Sequence, residues 1–283
     1  MNRRPFLLPL ISPAFLIAFG IAAAMAAILQ YSLRTFVPGS LDVGAFTLAN
    51  FAGLLKPVYW QAMIDTVVIC LETALVALIL GYPLAYALVR ARSVALKSLI
   101  LVVAVTPLFL GEIVRTYSWI VVLGNSGFLN SLLLKTGLIE RPIQFMFTQF
   151  GVIVALAHVT LPVVVIMLAA ALAHIDRDYE KAAGSLGATP IRAFLTVTLP
   201  LSIPGIVASF TTAFAWTFSA FATPQIIGGG KVNTVSTLVY QVGFASFNFP
   251  FAASLSLVGL MLALATLALL TRATRRLETM GGH

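Results

Sequence analysis

Six runs of apolar residues, each long enough to cross a lipid bilayer as a helix, constrain this chain more than any other feature. They fall at about 7–31, 62–89, 96–123, 150–173, 201–223 and 250–271, and a hydrocarbon core of roughly 30 Å needs about 20 apolar residues in helix. Inside such a core each backbone N–H and C=O has to be satisfied within the protein, and a run of this length does that as a helix. Composition agrees with the reading. Of 283 residues, 60% are hydrophobic and 9% charged, whereas soluble domains carry about 25% charged residues. The expectation is an all-α, polytopic membrane protein of six transmembrane helices, forming a single domain over residues 1–283. Pro83, Pro107, Pro162 and Pro204 lie inside the runs, where neighbouring helices satisfy the carbonyls they free.

Arg3 and Arg4 precede the first run, which contains the small-residue stretch "AAAMAA". That arrangement resembles a signal-peptidase site, but the run continues to Tyr31, well past the about 7–15 apolar residues of a signal peptide. It is expected to remain as the first span. Orientation then follows from Lys and Arg near the span ends. Arg3 and Arg4, Arg90, Arg92 and Lys97, Arg177, Lys181 and Arg192, and Arg272, Arg275 and Arg276 all fall on one side. Arg34, Lys56, Lys135, Arg141 and Lys231 fall on the other, and Arg115 lies within a run. Both termini are therefore expected in the cytoplasm. The net charge of +8 is a topology signal and not a nucleic-acid surface.

Metal and disulfide chemistry find no footing. Cys70 is the single cysteine and sits inside a run. His158, His174 and His283 share no spacing and read as interfacial or packing residues rather than ligands. Two external segments have order of their own. "GNSGFLNSLLLKTG" offers Ser126 as N-cap and Gly137 as stop, with Phe128, Leu129, Leu132 and Leu133 on one face, as in a short helix lying in the interface. A second helix is expected after Asn233. Docking of an external partner and re-entrant packing both remain open for these segments.

Between the fourth and fifth runs stands "DYEKAAGSLGATPIRAFLTVTLP", residues 178–200. Asp176 or Asp178 can cap a helix, and Asp178 and Glu180 put negative charge at its positive end. Tyr179, Ala182, Ala183 and Leu186 recur on one face, and Gly187 suits the left-handed residue that closes a helix. Thr189-Pro190 starts a second helix as cap and first residue. Ile191, Phe194, Leu195 and Thr198 continue it on one face, and Pro200 is expected to end it. Helices this short fall below the about 12–15 residues at which an isolated helix is even marginal. Each must be covered, either by the chain's own bundle or by a partner.

The stretch resembles the EAA loop of ABC importer permeases. Ala182 and Ala183 stand at the two alanines, Gly187 at the glycine, Val197 at the usual Ile, and Leu199-Pro200 at the closing pair. Lys181 stands where the family carries Glu, so Glu180 either supplies the acid or the acid is missing. "GYPLAYALVRAR", "RTYSWIVVLGNSGFLNSLL" and "FATPQIIGGG" are similar to the spermidine/putrescine-type branch. The resemblance implies a type I ABC importer fold in a bacterial inner membrane, working as a pair of similar permeases, usually two different chains. It also implies two ATPase subunits and a periplasmic binding protein as partners. On this likeness Asp178, Tyr179, Glu180, Lys181, Ala182, Ala183, Leu186 and Gly187 face the ATPase, and Pro200 passes motion to the fifth span.

The chain holds no energy source. A phosphate-binding loop would read G-x-x-x-x-G-K-[ST]. In the nearest fragment, "QIIGGGKV", Gln225 stands at the first Gly and Val232 at the Ser/Thr. Intramembrane acids are too sparse for the proton relays of many carriers. The chain is thus expected to be a non-catalytic subunit that binds no cofactor, with ATP and Mg2+ used by the partner ATPase. A secondary carrier or channel, or a membrane scaffold, is the competing reading.

Charges within spans are functional candidates because each costs about 2.5–3.5 kcal/mol at the bilayer centre. Asp65 and Glu72 share one face of the second span, Asp65 near its end and Glu72 the better cavity candidate. Glu112 and Arg115 are three apart and can neutralise each other, a structural pair before a functional one. Trp216, Thr217 and Phe221 in the fifth span can line the path or simply fill space. Relatives in the branch often carry an acid just before the Phe of F-x-T-P. Ala220 stands there in this chain, so an amine, an amino-acid-like compound or another small organic solute fits nearly as well as a polyamine.

Overall fold

The computed structural model describes residues 7–39 and 44–280, with side chains from Ser12 to Arg272 outside the gap. Arg3, Arg4 and His283 lie outside the described residues, as do the side chains of Arg275 and Arg276. Among the described residues the regular structure is helical, apart from one isolated antiparallel bridge between Arg34 and Phe46.

Four expected spans are continuous helices: α1 (Leu7–Ser32), α3 (Pro57–Arg90), α7 (Gln149–Ala173) and α14 (Phe249–Met280), with a short α2 (Ala49–Gly53) before α3. The third expected span, 96–123, is not one helix. It divides into α4 (Val94–Phe109) and α5 (Glu112–Leu123), with Leu110 and Gly111 extended at ψ 132° and 146°. In an unbroken helix the Pro107 carbonyl would take the Gly111 N–H. Here the Arg115 side chain takes it instead, Nη1 to O at 2.8 Å. The break is thus satisfied from within the chain, which apolar composition alone does not reveal.

α6 (Phe128–Lys135) follows. Its expected stop is present: Gly137 adopts φ +71°, and the Gly137 and Leu138 N–H groups return to the Leu134 and Leu133 carbonyls. Its expected cap is not. Gly127 is the N-cap and no side chain caps the first turn. A later short helix, α13 (Val235–Tyr240), begins after Asn233 as expected.

The fifth expected span, 201–223, is bent at one end and ends early at the other. α11 (Ile203–Ser219) meets the preceding helical segment at 63°. Extended Ala220 then separates it from α12 (Ala222–Gly228). By length and apolarity five helical stretches can cross a membrane: Ser12–Ser32, Pro57–Arg90, Glu112–Lys135, Gln149–Ala173 and Phe249–Arg272. There are six where the bent pair is one span.

The chain divides into two compact units, Met1–Gln61 with Leu238–Met261, and Ala62–Thr237 with Leu262–His283. In the first, the Asn50 amide ties the end of α1 by donating to the Ser32 and Arg34 carbonyls. Tyr59 meets Phe251 with ring centroids 4.9 Å apart. The core of the second is built from small residues on α3 (Cys70, Ala74, Ala77, Ala85), branched residues on α7 (Val164, Val165, Leu168, Leu172), and Ala213 and Phe214 on α11. Lipid offers no hydrophobic drive between helices, so close backbone approach through small residues takes its place. Gly205 shows how close: a Cβ there would sit 2.3 Å from the Ala171 Cβ of α7.

Candidate functional site

Two places in the second unit carry functional character, the charged segment after α7 and a cavity between α5, α7 and α11. The segment folds as its local signals direct. Asp176 caps α8 (Arg177–Ser185), its carboxylate accepting from the Asp178 N–H at 3.0 Å. Gly187 ends α8 at φ +87°, with the Gly187 N–H to the Gly184 carbonyl and the Ala188 N–H to the Ala183 carbonyl. Only glycine takes that conformation without steric cost. Thr189 then caps α9 (Pro190–Ala193) by accepting from the Arg192 N–H.

Pro200 does not stop this second helix. α9 continues through a π turn (Phe194–Thr198) into α10 (Leu199–Leu201), and the direction changes only at Ser202. In the π turn the Leu199 N–H reaches back five residues to the Phe194 carbonyl. That shift in register comes just ahead of a proline that has no N–H to give. It also splits the expected apolar face. Phe194 and Thr198 turn inward, while Ile191 and Leu195 are exposed.

The expected face of α8 is open. Tyr179 and Leu186 are exposed, Leu186 at 89%, Ala182 is exposed and Ala183 half-buried. Asp178 and Lys181 are exposed too and pair with each other at 2.7 Å. Glu180 differs from both. Its side chain is 23% exposed and lies 3.5 Å from Arg90 Nη2. It also accepts a 2.5 Å hydrogen bond from the Thr198 hydroxyl. The acid beside Lys181 is therefore engaged within the chain.

Sequence reasoning did not assign roles to the residues that receive this segment. Arg90 on α3 donates to the Ile175 carbonyl at 3.1 Å as well as pairing with Glu180. Tyr82 shares a 2.8 Å hydrogen bond with Ser202, and the Tyr82 and Tyr86 rings meet Phe194 edge-on at 5.8 and 5.2 Å. The available signal was the spacing of Tyr82, Tyr86 and Arg90, four apart and hence on one helical face, within a segment noticed only for its resemblance.

The cavity, about 350 Å³, brings together Glu112, Arg115 and Trp216, with Leu110 and Ala220 from the two extended breaks on its wall. Three expected path residues thus meet at one place. Among the described residues no ion pair joins Glu112 to Arg115; the guanidinium holds the Pro107 carbonyl instead. Asp65 and Glu72 do not line this cavity. Asp65 is half-buried on α3, and Glu72 is exposed and accepts from the Gln149 amide at 3.0 Å. Thr217 is buried on another face of α11, and Phe221 sits in the break before α12. His158, one of the histidines without shared spacing, takes the Trp119 indole N–H at 3.4 Å.

Residues 77–279 match the family described as binding-protein-dependent transport system inner membrane component. The chain is 33% identical to the spermidine/putrescine transport system permease protein PotB of Salmonella typhimurium (strain SL1344) over 77% of each chain. It is 32% identical to PotB of Escherichia coli K12 over 77% of this chain and 80% of the relative. Among solved structures, a bacterial alginate ABC transporter in complex with an alginate-bound periplasmic protein superposes with TM-score 0.81 at 17% identity, covering 98% of this chain and 96% of that one. The MetNI methionine ABC transporter gives 0.59 at 18% identity, covering 81% of this chain and 99% of that one. With its apolar helices and this match, the chain belongs to the binding-protein-dependent transport system inner membrane components, as a multi-pass, non-catalytic permease subunit of an ABC importer.

Proposed function

We propose that the chain, as a single permease domain with both termini in the cytoplasm, admits a small cationic amine handed over by a periplasmic binding protein. It works beside a second, homologous permease and above two ATPase subunits. ATP and Mg2+ are bound by those subunits and not by this chain. The exposed face of α8 carries the reading: Tyr179, Ala182 and Leu186 are left uncovered on a helix that its own caps fix in place. A groove on the ATPase covers that face, and Leu199 and Pro200 pass the segment's motion to α11. Linkage requires that the ATPase groove bind α8 differently in the two states of the bundle.

The solute path runs through the cavity at Glu112 and Trp216. An ammonium group there meets the Glu112 carboxylate and the Trp216 indole, groups that attract cations, while the Arg115 guanidinium in the same cavity is held on the Pro107 carbonyl. The acid missing at Ala220 is supplied to the same cavity by Glu112 from α5. The names of the curated relatives favour a polyamine within that class.

Copurification tests the partner reading. An ATPase subunit should come down with the wild-type chain and be lost with Gly187→Trp, which puts a bulky side chain at the docking helix's end and strains its left-handed turn. Retention of the ATPase by that variant, or uptake that survives ATP depletion, sinks the proposal. Uptake by vesicles across a panel of amines and organic acids tests the solute class, with competition by the acids alone as the contrary result.

A further inference from the structure

The covalent route from α8 to α11 is soft. It passes through Gly187, whose φ of +87° lies in a region glycine enters and leaves freely, and then through a π turn. A pull on α8 transmitted along the backbone alone would be spent at those two points. The side chains provide a second route, and it runs over α3. Tyr82, Tyr86 and Arg90 stand at successive turns of that helix, about 6 Å apart, and each holds one part of the segment. Arg90 holds α8 through Glu180 and the Ile175 carbonyl. Tyr86 and Tyr82 hold the π turn through Phe194, and Tyr82 holds the bend through Ser202. Arg177 adds a further tie by donating to the Val89 carbonyl at 2.7 Å.

Glu180 closes this arrangement. Its Oε1 takes the Thr198 hydroxyl at the end of the π turn and faces Arg90 on α3, so one carboxylate joins three elements that lie 18 and 90 residues apart in the chain. On the reading that α8 docks the ATPase, we propose that Glu180 is a positioning residue. It does not touch the ATPase; with the Tyr82–Tyr86–Arg90 face of α3 it carries the displacement of α8 to the bend at Ser202, bypassing Gly187.

The test uses the whole importer, purified with its ATPase subunits and reconstituted in vesicles with the binding protein, and reads solute taken up per ATP hydrolysed. Glu180→Arg and Arg90→Glu alone should each lower that ratio about tenfold, within the range double-mutant cycles give for contacting charges, with the ATPase still bound. The double variant should recover to within about threefold of wild type. A double variant no better than either single overturns the proposal, as does loss of the ATPase on Glu180→Arg, since that places the carboxylate at the subunit contact. Thr198→Val keeps the shape and removes only the hydroxyl, so it decides the matter should the reversed charges fail to fold. A lower ratio at unchanged ATPase binding supports the positioning role, and an unchanged ratio overturns it. Wild type that binds no ATPase or takes up solute without ATP would instead overturn the docking reading on which the proposal rests.

Discussion

Two of the membrane-length runs are interrupted, and the interruptions are held in different ways. At Leu110–Gly111 a charged donor closes the gap: the Arg115 guanidinium sits on the Pro107 carbonyl at 2.8 Å. At Ser202 a 63° bend rests on neutral hydroxyls, with Tyr82 on Ser202 and the Ser202 Oγ on the Leu199 carbonyl. A hydrogen bond with a charged partner contributes about 1.5–3 kcal/mol against about 0.5–1.5 for a neutral one. The break beside the cavity thus rests on the stronger, charged kind of hydrogen bond, and the bend beside the α8–α9 segment on the weaker, neutral kind.

That contrast breaks most sharply at Arg115. Arg115→Ala leaves the Pro107 carbonyl without its donor, a loss of about 1–3 kcal/mol, and should lower the Tm of the detergent-purified complex. Uptake should fall only as far as folded protein is lost; a loss of uptake at unchanged Tm would make Arg115 a solute contact. Next is Glu112→Gln, which keeps the shape of the cavity and removes its charge. It should cut uptake of an amine about tenfold, or 1.4 kcal/mol of binding, while Glu72→Gln, exposed beside Gln149, has a smaller effect. Equal effects would move the path away from the cavity. Tyr82→Phe removes one neutral hydrogen bond at the bend, at most about 1.5 kcal/mol; Tm should hardly change while uptake per ATP falls two- to threefold. The smallest effect belongs to Lys181→Glu. Its pair with Asp178 is about three-quarters exposed and contributes about 0.5 kcal/mol or less, so a loss of ATPase binding here would show that Lys181 itself meets the partner.

The spans were legible because length and apolarity are properties of single segments, and α8 was legible because its ends are written in neighbouring residues, Asp176 before it and Gly187 with Thr189-Pro190 after it. The interruptions were not. Residues 96–123 are apolar enough on average to read as one run, and hydropathy cannot register that the Pro107 carbonyl exchanges a backbone bond for one with the Arg115 side chain. Pro200 read as a stop because the π turn that accommodates it is a backbone choice with no signature in residue type. Glu180 read as an outward acid beside Lys181. Its partners, Arg90 and Thr198, become visible only when α3 and α9 are brought together in space.

At Gly205 and Ala171 the helices α11 and α7 meet so closely that no room is left for a side chain at residue 205. The contact falls at the start of α11 and the end of α7, so any side chain larger than hydrogen at residue 205 would have to wedge apart the two helices where they enter their shared core.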